Sequence, residues 1–371
     1  MKTKHALKFS LGVGASCLLL AAASASHAQT SSSMSPSARP PAFPMSAAQP
    51  PARPAADNQA VLDAMMRLGA KPIETLSPAE ARRQPSFADG VKAVMKQQGM
   101  STAPDPAVTT RDLPYGRDPL QKARVYKPAN APAGAKLPVV VYYHGGGWVI
   151  ADLTTYDATP RTLAKQLNAV VVSVGYRHAP EAKFPAQHDD ANQAYDWVLR
   201  EAGKWGGDTS RVAVAGESAG GNLAVNVAVH ARDRGLTAPL HVLSVYPIAS
   251  GDPTLKSKAD FANAKPLNTA MLMWFGHYVT TTPADMQDPR WDLSKANLRG
   301  LPPVTIVNAQ VDPLADDGAA LETALRTAGV PVERRVFPGA THEFFGAGKV
   351  IRAAFDAEGY ATGKLKSAFG Q

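Results

Sequence analysis

Short valine-rich runs, most of them separated by helical patterns, limit the possible folds more than any other feature. They fall at residues 139–143, 169–174, 212–215, 242–246 and 304–309. Runs apolar on every residue, not on alternate ones, require cover on both faces, as strands of a parallel sheet between two helical layers have. Helical spacing at 156–167, 189–202, 219–232 and 317–328 supplies the crossovers. A stretch at 123–127 adds a candidate edge strand, and no fixed-period repeat interrupts the scheme.

The 371 residues, 45% of them hydrophobic, suffice for one large α/β domain. The first 28 depart from it. Lys2, Lys4 and Lys8 precede an apolar, small-residue run ending at Ser26-His27-Ala28, the layout of a secretory signal peptide and too short to span a membrane. The single cysteine, Cys17, lies inside this segment, so an exported mature chain would hold neither thiol nor disulfide. Lipidation at Cys17 would leave LLLAAASA on the mature chain, which disfavours that route. A periplasmic or extracellular location without stable membrane association is the expectation. The net charge of +8 includes the three leader lysines, and no basic run with interleaved aromatics marks a nucleic-acid surface.

Residues 29–56 are rich in Pro, Ser and Ala and are expected to form a disordered tether. Residues 57–110 read as N-terminal helices: Val61, Leu62, Met65, Met66 and Leu68 share one helical face, as do Phe87, Val91, Val94 and Met95. Ser77-Pro78 followed by Glu80 is a helix start with serine as cap. The remainder, 111–371, is the α/β domain, broken at 252–291 by an insertion containing KPLNTAMLMWFGHYV. That segment reads as core packing or as a cap paired with the N-terminal helices.

Chemistry concentrates at strand ends. Gly216-Glu217-Ser218-Ala219-Gly220 follows one run and opens a helix, the setting of a G-x-S-x-G nucleophile elbow. A serine needs a base, and the base a partner that fixes its tautomer. In the chain order serine, acid, histidine, Asp312 follows the run at 304–309 and His342 follows VERRVFPG. Asp316 and Asp317 sit where the next helix should begin and suit its N-terminus. His230, His241 and His277 lie within predicted elements, and His178 and His188 precede the serine. Upstream, Gly145-Gly146-Gly147 follow His144 directly after the run at 139–143. They could be a mobile turn, a phosphate cradle, or backbone donors for an oxyanion. The cradle lacks a following Lys-Ser/Thr, and Trp148 would crowd a phosphate.

The motifs HGGGW (144–148), YRHAPEAKFPA (176–186), GESAGGN (216–222), DPLADDG (312–318) and AGVPVERRVFPGATHEF (328–344) together resemble the hormone-sensitive-lipase-like α/β-hydrolases, the bacterial carboxylesterases with an HGGG motif. The likeness covers about residues 115–371, and ETLSPAEAR (74–82) is similar to the family's N-terminal cap. It implies an eight-stranded, mostly parallel sheet with a helical cap, and hydrolysis of short- to medium-chain esters. Ser218 would be nucleophile, His342 base and Asp312 its partner. The N–H of Ala219 and those of Gly146 and Gly147, with Gly145 beside them, would form the oxyanion hole, and His144 would anchor the loop. The reaction requires no cofactor, and no His/Cys spacing suits a metal. His178, Glu217 and Glu343 stand where leucine, aspartate and glycine are frequent, so substrate preference transfers less securely than mechanism.

Lipase, amidase or deacetylase activity on the same fold is a rival reading, as is a non-catalytic binding protein, although the latter would have no need of a complete triad. The partner expected is a small ester; oligomeric state has no signature here. N-terminal sequencing of the exported protein should find a start near Gln29, and a lipidated Cys17 would reverse this.

Overall fold

The computed structural model describes residues 52–371; the segment expected to be a leader, with Cys17, and the expected tether as far as residue 51 lie outside the described residues. Helices α1 (Ala56–Arg67), α2 (Pro78–Ala81) and α3 (Phe87–Gln97) come first. Strands β1 (Val108–Pro114), β2 (Lys122–Pro128) and β3 (Leu137–Tyr143) follow. Helices and strands then alternate through α4 (Ala158–Leu167), β4 (Val170–Val174), α5 (Ala186–Glu201), β5 (Gly207–Glu217), α6 (Ala219–Asp233) and β6 (Val242–Val245). After α7 (Lys256–Asp260) and α8 (Thr269–Val279), the chain closes with β7 (Val304–Val311), α9 (Ala315–Thr327), β8 (Val332–Thr341) and α10 (Arg352–Ala368). No described helix is long and apolar enough to cross a membrane.

The eight strands form one sheet in the order β1-β2-β4-β3-β5-β6-β7-β8. β2 runs antiparallel to β1 and β4, and the others are parallel. Alternate side chains of each strand enter opposite layers. Val139, Val141 and Tyr143 pack with Ala194, Val198 and Leu223 of α5 and α6, while Val140 and Tyr142 pack with Leu163 of α4 and Ala357 and Leu365 of α10. β3 and β4 are therefore buried along their whole length and, Ser173 apart, apolar in sequence.

β1 was not expected, and it begins at Val108, inside the segment assigned to the cap helices. Only Val108 of its seven residues is buried, the profile of an edge strand whose partner on one side is solvent. The range expected for the tether, 29–56, overlaps ordered backbone at its end. Helix α1 already starts at Ala56, and the Ala55 N–H donates to the Gly339 carbonyl at 2.9 Å.

The N-terminal helices are joined to the sheet's carboxyl edge by specific bonds. Ser77 and Glu80 form a capping box at the start of α2, and Ser86 and Asp89 form another at α3. On α1, the Asn58 amide donates to Thr341 Oγ1 at 2.8 Å and accepts from the Thr341 N–H at 3.0 Å, both buried and one residue before His342. From the insertion, Trp274 Nε1 on α8 donates to the Leu76 carbonyl at 3.0 Å.

One packing contact is sterically extreme. A Cβ on Gly220, in the first turn of α6, would lie 2.0 Å from the Tyr143 carbonyl oxygen at the end of β3, and one on Gly216 would lie 2.1 Å from the Gly220 carbonyl. Gly220→Ala must therefore push α6 off the sheet, a destabilisation of about 3 kcal/mol or more. Urea unfolding followed by circular dichroism should register the loss.

Candidate active site

The site is assembled where β5, β7 and β8 end. Ser218 occupies the sharp turn between β5 and α6 with φ +57°, a region that L-residues seldom enter. Its N–H donates to the Val245 carbonyl at 2.8 Å, which holds the turn in place. Strained residues persist where surrounding structure over-determines them, and this turn presents the hydroxyl at the sheet's edge.

His342 follows β8, and its Nε2 lies 2.9 Å from Ser218 Oγ. Its Nδ1 lies 2.7 Å from Asp312 Oδ2, and Asp312 Oδ1 accepts the Leu314 N–H at 2.9 Å. With Nδ1–H donating to the carboxylate, Nε2 is the lone pair that faces the serine proton. The three residues, up to 124 positions apart in sequence, are thus linked in one buried chain.

Burial alone would depress the His342 pKa, but the Asp312 charge and hydrogen bond outweigh it and hold the pKa above 6.5, with smaller contributions from Glu343 and Glu217. Glu217 is buried behind the base, accepting from Tyr142 OH at 2.6 Å and from Tyr246 OH, and burial raises its pKa to about 7. The Tyr246 ring packs 4.5 Å from the His342 ring.

The glycine run divides. Gly146 (φ +99°) and Gly147 (φ +56°) line the same cavity as Ser218, His342 and Glu343. Gly145 lies beneath, its carbonyl accepting from His144 Nδ1 at 2.8 Å and from Tyr176 OH at 3.3 Å. A side chain on Gly145 would meet Tyr156 OH at 2.3 Å. Ala219 is the first residue of α6, where helix geometry leaves N–H groups without intrahelical acceptors. His144 is fully buried and stacks on Tyr176 at 4.4 Å; burial lowers its pKa to about 4, so it is neutral at physiological pH.

The other candidates have different partners. Asp316 and Asp317 lie in the first turn of α9, as expected, and also hold other segments: Asp316 Oδ2 accepts from the Ser257 N–H of α7, and Asp317 Oδ1 from those of Ala249 and Ser250. Asp317 is fully buried; the two loop N–H groups satisfy Oδ1, and the Lys258 ammonium stands 3.4 Å from Oδ2. His230 pairs with Asp196 at 2.9 Å, His241 with Thr305 at 2.9 Å and His188 with Asn222 at 3.0 Å; His277 packs edge-on against Tyr278 and His178 against Tyr176.

The cavity over Ser218 has a volume of about 210 Å³ and lies between the N-terminal helices and α8. Met65, Ile73, Phe87, Met271 and Phe275 give it apolar walls, and the Phe275 ring rests against Gly147. Arg82, the last residue of the ETLSPAEAR stretch, joins this wall to the oxyanion loop. Its guanidinium donates to the Val149 carbonyl at 2.8 Å, the Ala179 carbonyl at 2.7 Å, and both oxygens of Glu181 at 2.8 and 2.7 Å. Tyr156 donates to Glu343 at 2.7 Å. Arg82 closes the ETLSPAEAR stretch and Tyr156 opens a predicted helix, but neither pattern reveals a partner 67 to 187 residues distant. A second depression of about 510 Å³, lined by His241, Val304 and Val332, opens at the strands' amino ends, away from this chemistry. No cluster of three or more metal-ligating side chains occurs among the described residues.

Residues 140–346 match a sequence family described as alpha/beta hydrolase fold. Carboxylesterase NlhH of Mycobacterium tuberculosis is 39% identical over 290 residues, covering 76% of this chain and 90% of that protein. Ethyl acetate hydrolase of Pseudomonas putida is 35% identical over 76% of this chain and 88% of its own. The solved esterase of Pyrobaculum calidifontis superposes with a TM-score of 0.71 at 35% identity, covering 82% of this chain and 96% of that one.

Because proton abstraction requires neutral His342, the raised pKa carries its protonated form to higher pH and moves the acid limb with it. kcat/KM for a neutral ester should fall on acidification with a midpoint above 6.5. Asp312→Asn should lower that midpoint and reduce kcat by about three to four orders of magnitude, through loss of the charge and of the tautomer it selects.

Proposed function

The chain belongs to the hormone-sensitive-lipase-like α/β-hydrolases and is a carboxylic ester hydrolase; from that premise we propose an exported serine esterase that cleaves short- to medium-chain esters through Ser218, His342 and Asp312. The observation carrying this reading is the unbroken chain from Asp312 Oδ2 to His342 to Ser218 Oγ, 2.7 and 2.9 Å long, at the floor of a cavity.

In the first half-reaction Ser218 Oγ attacks the ester carbonyl as His342 Nε2 takes its proton. Negative charge gathers on the carbonyl oxygen, within reach of N–H groups from Gly146, Gly147 and Ala219. Such donors, already oriented and away from bulk water, contribute about 3 kcal/mol each. The imidazolium, stabilised by Asp312, then protonates the leaving alcohol. In the second half a water gives its proton to His342 and attacks the acyl-serine; as the bond to Ser218 Oγ breaks and the acid leaves, His342 returns the proton to Oγ.

The small cavity supports short acyl or alcohol groups over the long chains of a lipase. Export rests on the leader at residues 1–28 and fits an extracellular ester as substrate.

Ser218→Ala should reduce kcat/KM for p-nitrophenyl butyrate by about four orders of magnitude or more and abolish fluorophosphonate labelling. Retention of near wild-type turnover would remove Ser218 as nucleophile. A panel of p-nitrophenyl esters of rising chain length, an acetylated sugar and an anilide should give its highest kcat/KM with the shorter esters.

A further inference from the structure

Glu343 stands beside the base with no part in the proton transfers above. Its backbone is left-handed, with φ +68°, a conformation that glycine enters freely and glutamate does not. A long side chain kept at such a position points to a use for the side chain itself. That side chain is aimed: Oε1 accepts from Tyr156 OH at 2.7 Å, and Tyr156 is itself buried against Gly145. The residue lines the cavity with Ser218 and His342, and Oε2 has no hydrogen-bond partner among the described residues.

The adjacent His342 favours its charge only when protonated, and the arginine and lysines of the cavity wall do not neutralise it. Arg82 is committed to Glu181 and two carbonyls, while Lys71 and Lys265 are exposed residues of the cavity wall without carboxylate partners among the described residues. Burial raises the Glu343 pKa, since a negative charge facing an apolar cavity is poorly solvated. A substrate group that donates a hydrogen bond or carries positive charge would relieve that deficit, and a substrate carboxylate would worsen it.

Resting on the esterase reading, we propose that Glu343 is a specificity-determining residue. Its free carboxylate oxygen favours esters with a hydrogen-bond donor or positive charge a few atoms from the scissile carbonyl and rejects esters with a carboxylate there.

Two substitutions separate this role from a structural one. Glu343→Gln keeps an acceptor for Tyr156 and removes the charge, whereas Glu343→Gly removes the whole side chain at a position whose φ suits glycine. The full chain and both variants are assayed by pH-stat at mildly alkaline pH on methyl butyrate, methyl 3-hydroxybutyrate and monomethyl succinate. Wild type should turn over monomethyl succinate with a kcat/KM about tenfold or more below that for methyl butyrate, and in both variants that ratio should rise about tenfold. The preference for the 3-hydroxy ester should fall in both. An unchanged succinate-to-butyrate ratio in an active variant overturns the proposal. So does a pair of folded variants inactive on all three esters, which would make Glu343 part of the catalytic machinery. Wild type inactive on all three would instead overturn the esterase reading, and this proposal with it.

Discussion

The site depends first on how closely α6 approaches the sheet. With no side chain on Gly216 or Gly220, the helix can seat its first turn against the Tyr143 carbonyl. Only then does the intervening turn force Ser218 to φ +57° and lift its hydroxyl to the edge where β7 and β8 deliver Asp312 and His342. The same seating brings the unpaired N–H groups of the helix's first turn toward the place where the substrate oxygen must sit. A looser helix would lose the nucleophile's orientation and part of the oxyanion site together.

Electrostatics then separates one histidine from several. His144, His178 and His188 are buried near the same loops, and burial lowers their pKa values to about 4, 3 and 4. His342 is equally enclosed, but a carboxylate 2.7 Å from Nδ1 reverses the sign of its shift. His188 has a neutral Asn222 oxygen against Nε2, and His144 a backbone carbonyl against Nδ1. A buried imidazole becomes a base through its partner, and the protein supplies a charged one at a single position among these four.

The parts of this arrangement legible in sequence share a property: each is announced by its own neighbours. Ser218 sits between two glycines at a strand-to-helix junction, and Asp312 and His342 each follow a strand, so local pattern and chain order find them. The alternation of the buried strands was legible for the same reason. β1 was not, because six of its seven residues are exposed or half-buried and its ladder to β2 is made by backbone groups. The Asp316 and Asp317 partners were also hidden. Those carboxylates sit in a helix's first turn but also hold the start of α7 and the backbone at 249–250, 59 to 68 residues away. Glu343 was visible as an oddity, and its meaning came only with Tyr156, 187 residues upstream.

Arg82 has a consequence for motion. One guanidinium holds the segment that walls the cavity, the Val149 carbonyl behind the oxyanion loop, and the 179–181 loop. If the N-terminal helices swung outward as a lid, they would have to release the Val149 carbonyl, and the turn bearing Gly146 and Gly147 would lose its brace in the same movement. Substrate exchange by that route would disarm the enzyme each time the cavity opened, so every turnover would have to include rearming it.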